Sequence, residues 1–386
     1  MNVVIAIDSF KGSLSSLEAG ESAANGIKKV YPDATTVIRP LADGGEGTVD
    51  ALVAGCGGKM TTVSVTGPLG ETVSCQYGIV SATKTAIIEM AVAGGITLVP
   101  PQKKNPLHTT TYGVGEIIAD AVKRGCRHFL IGIGGSATND GGIGMLQALG
   151  FGMLDENGNQ VEFGAKGLRQ LKSITTSHVL PELSKCTFRV ACDVTNPLCG
   201  STGCSAVFGP QKGADADEVK RLDAGLRVVA GLFEKQGAKV NSLPGGGAAG
   251  GAGAGVACFL NGRIASGIDV LLDLMKFDDL VKTADLIVTG EGSVDGQTAG
   301  GKAVQGIARR AAGKPVIVFS GSAKLDPASW EKLRASGVAA VFPIVQEPCT
   351  LAEAMAKASE NLRVTALNVF SLLKIQQAAG LTQQHA

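Results

Sequence analysis

The chain is poor in aromatic residues, in net charge, in paired cysteines and in long apolar runs, and each shortage removes a class of function. Against 54 glycines it carries 12 Phe, 3 Tyr and 1 Trp, too few rings for a base-stacking nucleic-acid platform. Its 35 basic and 34 acidic residues leave a net charge of +1 with no long block of one sign, so the electrostatic motive for binding nucleic acid is missing. The cysteines, at 56, 75, 126, 186, 192, 199, 204, 258 and 349, are scattered through a chain too long to need disulfide staples. They read as reduced thiols of a cytoplasmic protein. The nearest group, Cys192, Cys199 and Cys204, lacks the paired spacing of a structural zinc site, and the 4 histidines do not complete it. No stretch of about 18 apolar residues reads as a membrane span. Val3 to Ile7, cut short by Asp8 and preceded by no basic segment, reads as a strand and not as a signal peptide.

Nucleotide and hydrolase signatures are missing as well. There is no GxxxxGK[ST] phosphate loop and no GxSxG nucleophile elbow, and none of the turns that follow the apolar runs has GxGxxG dinucleotide spacing. What the chain has instead is a recurring arrangement of apolar runs that end in glycine and carboxylate residues. Ile5-Ala6-Ile7 leads to Asp8-Ser9-Phe10-Lys11-Gly12-Ser13, and Val37-Ile38 to Asp43-Gly44-Gly45-Glu46-Gly47-Thr48. Leu130 to Ile133 leads to Gly134-Gly135-Ser136-Ala137-Thr138-Asn139-Asp140-Gly141-Gly142, and Leu286-Ile287-Val288 to Thr289-Gly290-Glu291-Gly292-Ser293-Val294-Asp295. Strands that feed glycine turns and helix starts expose backbone N–H groups to anions. Carboxylates beside those donors suit a magnesium ion bridging phosphates.

The order of elements predicts two α/β domains. Strand 3–7, an amphipathic helix from Leu14 to Val30 and strand 35–40 form a βαβ unit. After Thr66 the texture changes to short β-branched runs at 72–80 and 85–90, read as antiparallel hairpins. A helix at 114–123, strands at 128–133 and 187–192 and a helix at 215–236 follow. The βα alternation resumes from Asp285, with strands 285–289, 315–319 and 338–343. The economical topology is a Rossmann-like, doubly wound parallel sheet built from both chain ends, residues 1–66 and 283–386, with a second mixed α/β domain, 67–282, inserted. Ligands of such sheets sit at the carboxyl ends of strands, which places the expected site in an interdomain cleft. The glycine tract Pro244 to Gly255 reads either as a flexible linker or as close-packed backbone near that site, and its lack of serine tilts the reading toward order.

The candidate residues follow from turn position. Asp8 either faces the site or, with Ser9, caps the following helix, and Lys11 on the same turn is a point charge for phosphate. Asp43, Glu46, Glu291 and Asp295 are candidate magnesium ligands, with Thr298 and Lys302 beyond the last pair. Gly134, Gly135, Ser136 and Asn139, together with Thr289, Gly290 and Gly292, are candidates for holding the phosphates of ATP. Asp8 or Asp193 is the candidate base for a substrate hydroxyl. Asn196, Lys212 and Arg263 are candidates for binding the substrate, with Lys212 or Arg263 as the cation for its carboxylate.

Taken together, Ile7 to Gly12, Ala42 to Thr48, Gly134 to Gly142, Cys192-Asp193-Val194-Thr195-Asn196-Pro197 and Thr289 to Ser293 resemble the bacterial class I glycerate kinases from residue 2 to about 375. The resemblance implies a Rossmann-like domain with a second α/β domain. It also implies ATP-dependent phosphorylation of D-glycerate, with 2-phosphoglycerate the expected product. The oligomeric state stays open, a homo-oligomer included. Two rivals fit less well: a sugar-acid sensor lacks an output module, and a hydroxy-acid dehydrogenase lacks GxGxxG spacing at the turns after its strands.

Overall fold

The structure is a computed structural model that describes residues 1–41, 48–237, 239–240, 242–295 and 303–378. In chain order the described strands are β1 (Asn2–Ile7), β2 (Thr35–Ile38), β3 (Lys59–Thr66), β4 (Thr72–Val80), β5 (Thr85–Glu89), β6 (His128–Gly132), β7 (Gly152–Leu154), β8 (Ser173–Thr175), β9 (Thr187–Ala191), β10 (Arg263–Ala265), β11 (Leu286–Asp295), β12 (Val316–Lys324) and β13 (Val338–Pro343). The chain divides into two compact units, Met1–Asp43 with Leu271–Ala386, and Gly44–Val270.

The first unit is a five-stranded parallel sheet in the order β13-β12-β11-β1-β2, so both chain ends build it, as the βα alternation predicts. Parallel strands covered on both faces need near-continuous apolar runs, and β1 supplies Val3 to Ile7, all buried. Ile5, Ile7, Val288 and Phe319 pack against Ala19, Ala23 and Ile27 of the helix Ser16–Val30 and against Leu362, Ala366 and Phe370 of the helix Ala358–Ala378. Val304 and Ile307 of the helix Ala303–Arg310 are buried as well.

The second unit carries a six-stranded mixed sheet in the order β10-β9-β6-β5-β4-β3. β3, β4 and β5 pair antiparallel, whereas β5, β6, β9 and β10 run parallel. Its core includes the stacked pair Phe129 and Phe188, with ring centroids 4.7 Å apart. Among the described residues no helix is long and apolar enough to cross a membrane.

The boundaries of these units fall earlier than the expected 66/67 and 282/283. β3 is hydrogen-bonded to β4 along its whole length, Lys59↔Ile79 to Thr66↔Thr72, which carries it into the inserted unit. At the other junction Arg310 bonds Asp273 at 2.7 Å and Asp278 at 2.8 Å, and Asn2 donates to the Thr283 carbonyl at 3.0 Å. Those contacts tie 271–283 to the unit formed by the chain ends.

Close approach of the helices Ser16–Val30 and Ala358–Ala378 depends on Gly26. A Cβ there would meet the Arg363 carbonyl, with Ala366 Cβ at 2.9 Å and Leu367 N at 3.0 Å. In an exposed helix Gly→Ala stabilises by about 1 kcal/mol; here the clash is with backbone, which cannot swing away. Gly26→Ala should therefore lower the melting temperature, and an unchanged or raised midpoint by calorimetry would refute this packing.

Candidate functional site

In the inserted unit the parallel register levels the carboxyl ends of three neighbouring strands, with Glu89 of β5, Gly132 of β6 and Ala191 of β9 in line. The segments that follow leave the sheet at one edge. Past β6 the chain forms the turn Gly134-Gly135-Ser136, with Gly135 in the left-handed region at φ +69°. Gly134 and Gly135 are exposed, while Ser136 to Asp140 are buried. One side of the turn is clamped by the Gly94–Ile96 segment, Ile96 N donating to Gly135 O at 2.8 Å and Ala137 N to Gly94 O at 2.8 Å.

From beneath, the turn rests on Lys212. This residue closes the 3-10 turn Pro210–Lys212, which Gly213 ends at φ +99°. Lys212 is only 4% exposed, and its Nζ donates to Ser136 Oγ at 2.9 Å and to Thr138 O at 2.7 Å. Burial pulls its pKa down from the ordinary 10.5 to about 8, against the opposing charges of Cys204 and Asp140. Asp140 itself is raised by burial. Its carboxylate accepts Thr111 N at 2.8 Å, Thr111 Oγ1 at 2.9 Å and Gly142 N at 3.0 Å, bonds that pull in the other direction. Asn139 is fully buried and donates to Ser205 Oγ at 2.9 Å. Both Asn139 and Lys212 thus underpin the turn from inside instead of standing on its surface.

The glycine tract is ordered and clasps the same turn. Gly141 N donates to Gly250 O at 2.9 Å and Gly247 N to Asn196 O at 3.1 Å. Ala249, Gly250 and Gly251 lie at positive φ, and the helix Ala252–Phe259 begins directly after them. A Cβ on Gly251 would stand 2.8 Å from Gly141 Cα, so the absence of side chains here serves contact between backbones and not flexibility. Past β9, Asp193 accepts Gly267 N at 3.0 Å, at the start of the helix Gly267–Leu274. Asn196 closes its own loop by donating to Thr202 O at 2.9 Å. Arg263 is not brought to this edge: it opens β10 in register with Arg189, two residues before Ala191.

The unit formed by the chain ends has an edge of its own. Asp8 follows β1 directly, its N donating to Gly290 O at 2.9 Å and its carboxylate accepting Ser9 N at 2.7 Å. Neither Asp8 nor Ser9 caps the next helix. That role belongs to Ser15, paired with Glu18 in a capping box, so Lys11 stands on an exposed turn ahead of the helix and not at its start. β11 also departs from the expected turn after Thr289. It continues to Asp295 because β12 runs beside it as far as Lys324, and Thr289 and Gly290, paired with Val318 and Phe319, are ladder residues whose extended backbone does not form a phosphate nest; Gly292 lies within the same strand. A Cβ at Gly292 would stand in ordinary contact with the chain after β1, 3.5 Å from Phe10 Cα.

Strand alternation sets Asp8, Thr289, Glu291 and Ser320 on the face opposite Ile7, Val288 and Phe319. The hydroxyls of Thr289 and Ser320 are buried and have no partner. Two carboxylates and two hydroxyls are hard oxygen donors of the kind magnesium takes, so the donor set on this face fits the ion. Among the described residues no three His, Cys, Asp or Glu side chains gather as a complete metal site. Asp295 is four residues beyond Glu291, about 13 Å at strand rise. Asp43 and Glu46, with Thr298 and Lys302, lie outside the described residues.

Sequence reasoning passed over Glu89, Ser320 and the run Thr109-Thr110-Thr111. Glu89 is a half-buried carboxylate at the carboxyl end of β5 that accepts Val49 N at 3.2 Å. The three threonines are buried together, Thr109 donating to Ala137 O at 2.8 Å. The available signal was positional: a carboxylate closing an apolar strand, and three hydroxyls directly ahead of a helix.

The glycerate kinase family matches residues 3–374 of the chain. Glycerate kinase of Haemophilus influenzae is 46% identical over 376 residues, 97% of this chain and 99% of that protein. Glycerate 2-kinase of Escherichia coli strain K12 is 43% identical over 378 residues, 97% and 98% of the two chains. A crystal structure of a glycerate kinase 2 candidate from Salmonella typhimurium LT2 superposes with a TM-score of 0.89 at 46% identity, covering 98% of this chain and 99% of that one.

Gly250→Ala tests the clasp. The new methyl would run into the Thr138 carbonyl at φ +66°, combining steric overlap with left-handed strain of roughly 1 kcal/mol or more. Lower stability together with weaker anion binding is expected, and a variant with wild-type melting and binding would sink the clasp.

Proposed function

Because the chain belongs to the glycerate kinase family, and so phosphorylates glycerate, we propose that it transfers the γ-phosphoryl group of ATP to the 2-hydroxyl of D-glycerate, releasing 2-phosphoglycerate and ADP. Magnesium is the proposed cofactor. The observation that carries the phosphate-handling part is the exposed Gly134-Gly135 turn set over the buried ammonium of Lys212. The 2-position is supported by the likeness to a protein named glycerate 2-kinase.

Phosphoryl transfer asks a protein mainly for positioning and neutralisation of charge. The substrate oxygen forms the new P–O bond, the bond to the bridging oxygen of ADP breaks, ADP leaves with the electron pair, and the hydroxyl proton passes to a carboxylate. In this reading Gly134, Gly135 and Ser136 receive phosphate oxygens, and Lys11, exposed on its turn, neutralises the transferring group. Asp8 or Asp193 takes the proton. Asn196 binds the acid, whereas burial keeps Lys212 behind the turn and the register of β10 keeps Arg263 away from this edge. Glu291 and the Thr289 hydroxyl would hold magnesium, with Asp43, Glu46 and Asp295 as further carboxylates of the proposed set. Magnesium, when bound, would supply charge neutralisation for the phosphates.

Incubation with ATP, magnesium and D-glycerate, followed by phosphorus and carbon NMR, should place phosphate on carbon 2; phosphate on carbon 3, or none, would overturn the assignment. Of Asp8→Asn and Asp193→Asn, the variant lacking the base should lose about 100-fold or more in kcat with KM little changed. Near-normal turnover in both, with intact folding, removes both candidates.

A further inference from the structure

A lysine buried under a turn is costly. An ammonium withdrawn from water loses several kcal/mol of solvation, as an order of magnitude, unless it is paired. Lys212 meets two neutral acceptors, Ser136 Oγ and Thr138 O, and Asp140, the carboxylate on the same turn, is engaged with Thr111 and Gly142. A methionine or leucine would fill the same space at lower cost, so packing alone does not explain a cation at this position. The two acceptors it grips are the residues that set the shape of the exposed glycine turn.

We propose that Lys212 is a positioning residue for this turn: its ammonium fixes the Gly134–Thr138 backbone and turns the Ser136 hydroxyl proton outward to the bound anion, without touching that anion itself. The inference rests on the phosphoryl-transfer reading and deepens it by assigning how the turn is held ready. The chemistry at Ser136 follows from its inventory of one O–H and two lone pairs. Lys212 occupies a lone pair on Oγ, so the hydrogen points away from Nζ and remains available as a donor. The Thr138 carbonyl, drawn inward, fixes the next peptide in the same way.

The groups that face this ammonium are Cys204, from the helix Cys204–Phe208, and Asp140, from the turn. Desolvation brings its pKa to about 8, so the positioning cation is present at neutral pH and is lost as pH rises through that value. Its effect on stability has the opposite sign. Between about 8 in the folded protein and the ordinary 10.5, the unfolded chain binds more protons, so this group's contribution to stability rises with pH. An alkaline loss of activity from this cause is therefore not unfolding.

The test compares wild type, Ser136→Ala, Lys212→Arg, Lys212→Met and the double variant Ser136→Ala/Lys212→Met, with kcat and KM measured over about pH 6 to 10. Wild-type kcat/KM should fall through an apparent pKa near 8. Ser136→Ala should move that fall to lower pH, because the ammonium has lost an acceptor, and Lys212→Arg should move it upward or remove it. Lys212→Met should cost roughly tenfold or more at neutral pH, and adding Ser136→Ala should cost less than about threefold further, since residues acting as a unit are non-additive. A fall unmoved by Ser136→Ala, or losses that multiply in the double variant, would overturn the proposal. If Lys212→Met does not fold, the Ser136→Ala pH profile decides alone. Failure of wild type to phosphorylate glycerate would remove the functional reading instead; Lys212 is then judged by the pH dependence of ATP binding in calorimetry, where the same limb supports the inference and its absence, or absence of ATP binding, overturns it.

Discussion

Register between parallel strands is the constraint on which the rest of this molecule depends. Gly132 is level with Glu89 on one side and Ala191 on the other, and this alone carries residues scattered over a hundred positions to one sheet edge. A slip of one residue would turn the side chains of the slipped strand to the other face and displace its following loop. The apolar strands resist such a slip because both faces are covered. The same reasoning holds in the other unit, where Ile7 pairs with Gly290 and so puts Asp8 beside Glu291.

Around the edge of the inserted unit the interior is unusually polar. Thr109, Thr111, Asn139, Asp140, Ser205 and Lys212 are all buried there, and nearly every one is engaged in a hydrogen bond that the next residue depends on. Thr111 serves Asp140 and also accepts Met145 N at 2.9 Å; Asn139 serves Ser205. In such a network the loss of one partner costs more than the making of one bond contributes, because the group left behind is buried without water. The consequence is rigidity where phosphoryl transfer needs it, since preorganised donors do not have to reorient as charge develops. The glycine tract adds to this by bringing a second backbone against Thr138 to Gly142 at a distance no side chain would permit.

Much of this was legible from local pattern. The strand at 3–7, the amphipathic helix behind it, the runs at 72–80 and 85–90 read as hairpins and the resumed βα alternation all rest on periodicity within a few residues, and the elements formed within a few residues of where that pattern put them. Missing serine pointed to order in the glycine tract. The length of β11 was not legible, because Thr289-Gly290-Glu291-Gly292 reads locally as a turn. Only the presence of β12 alongside, which uses the same N–H groups in a ladder, makes it a strand. Glu89 was missed for a related reason: nothing in its neighbourhood in sequence says that Gly132 will be its partner.

By itself, then, the sequence determined the longer elements, the topology of a sheet closed by both chain ends, and the family, because these depend on short-range pattern and on motifs read whole. The tertiary structure decided which motif residues stand at a surface and which lie behind it. Lys212 and Asn139 read as ligand contacts in sequence and are buried supports in the fold, and Ser15, not Asp8, proves to be the helix cap. Burial and hydrogen-bond partnership are set by contacts between segments far apart in the chain, and a side chain's role at a site follows from those contacts and not from its neighbours in sequence.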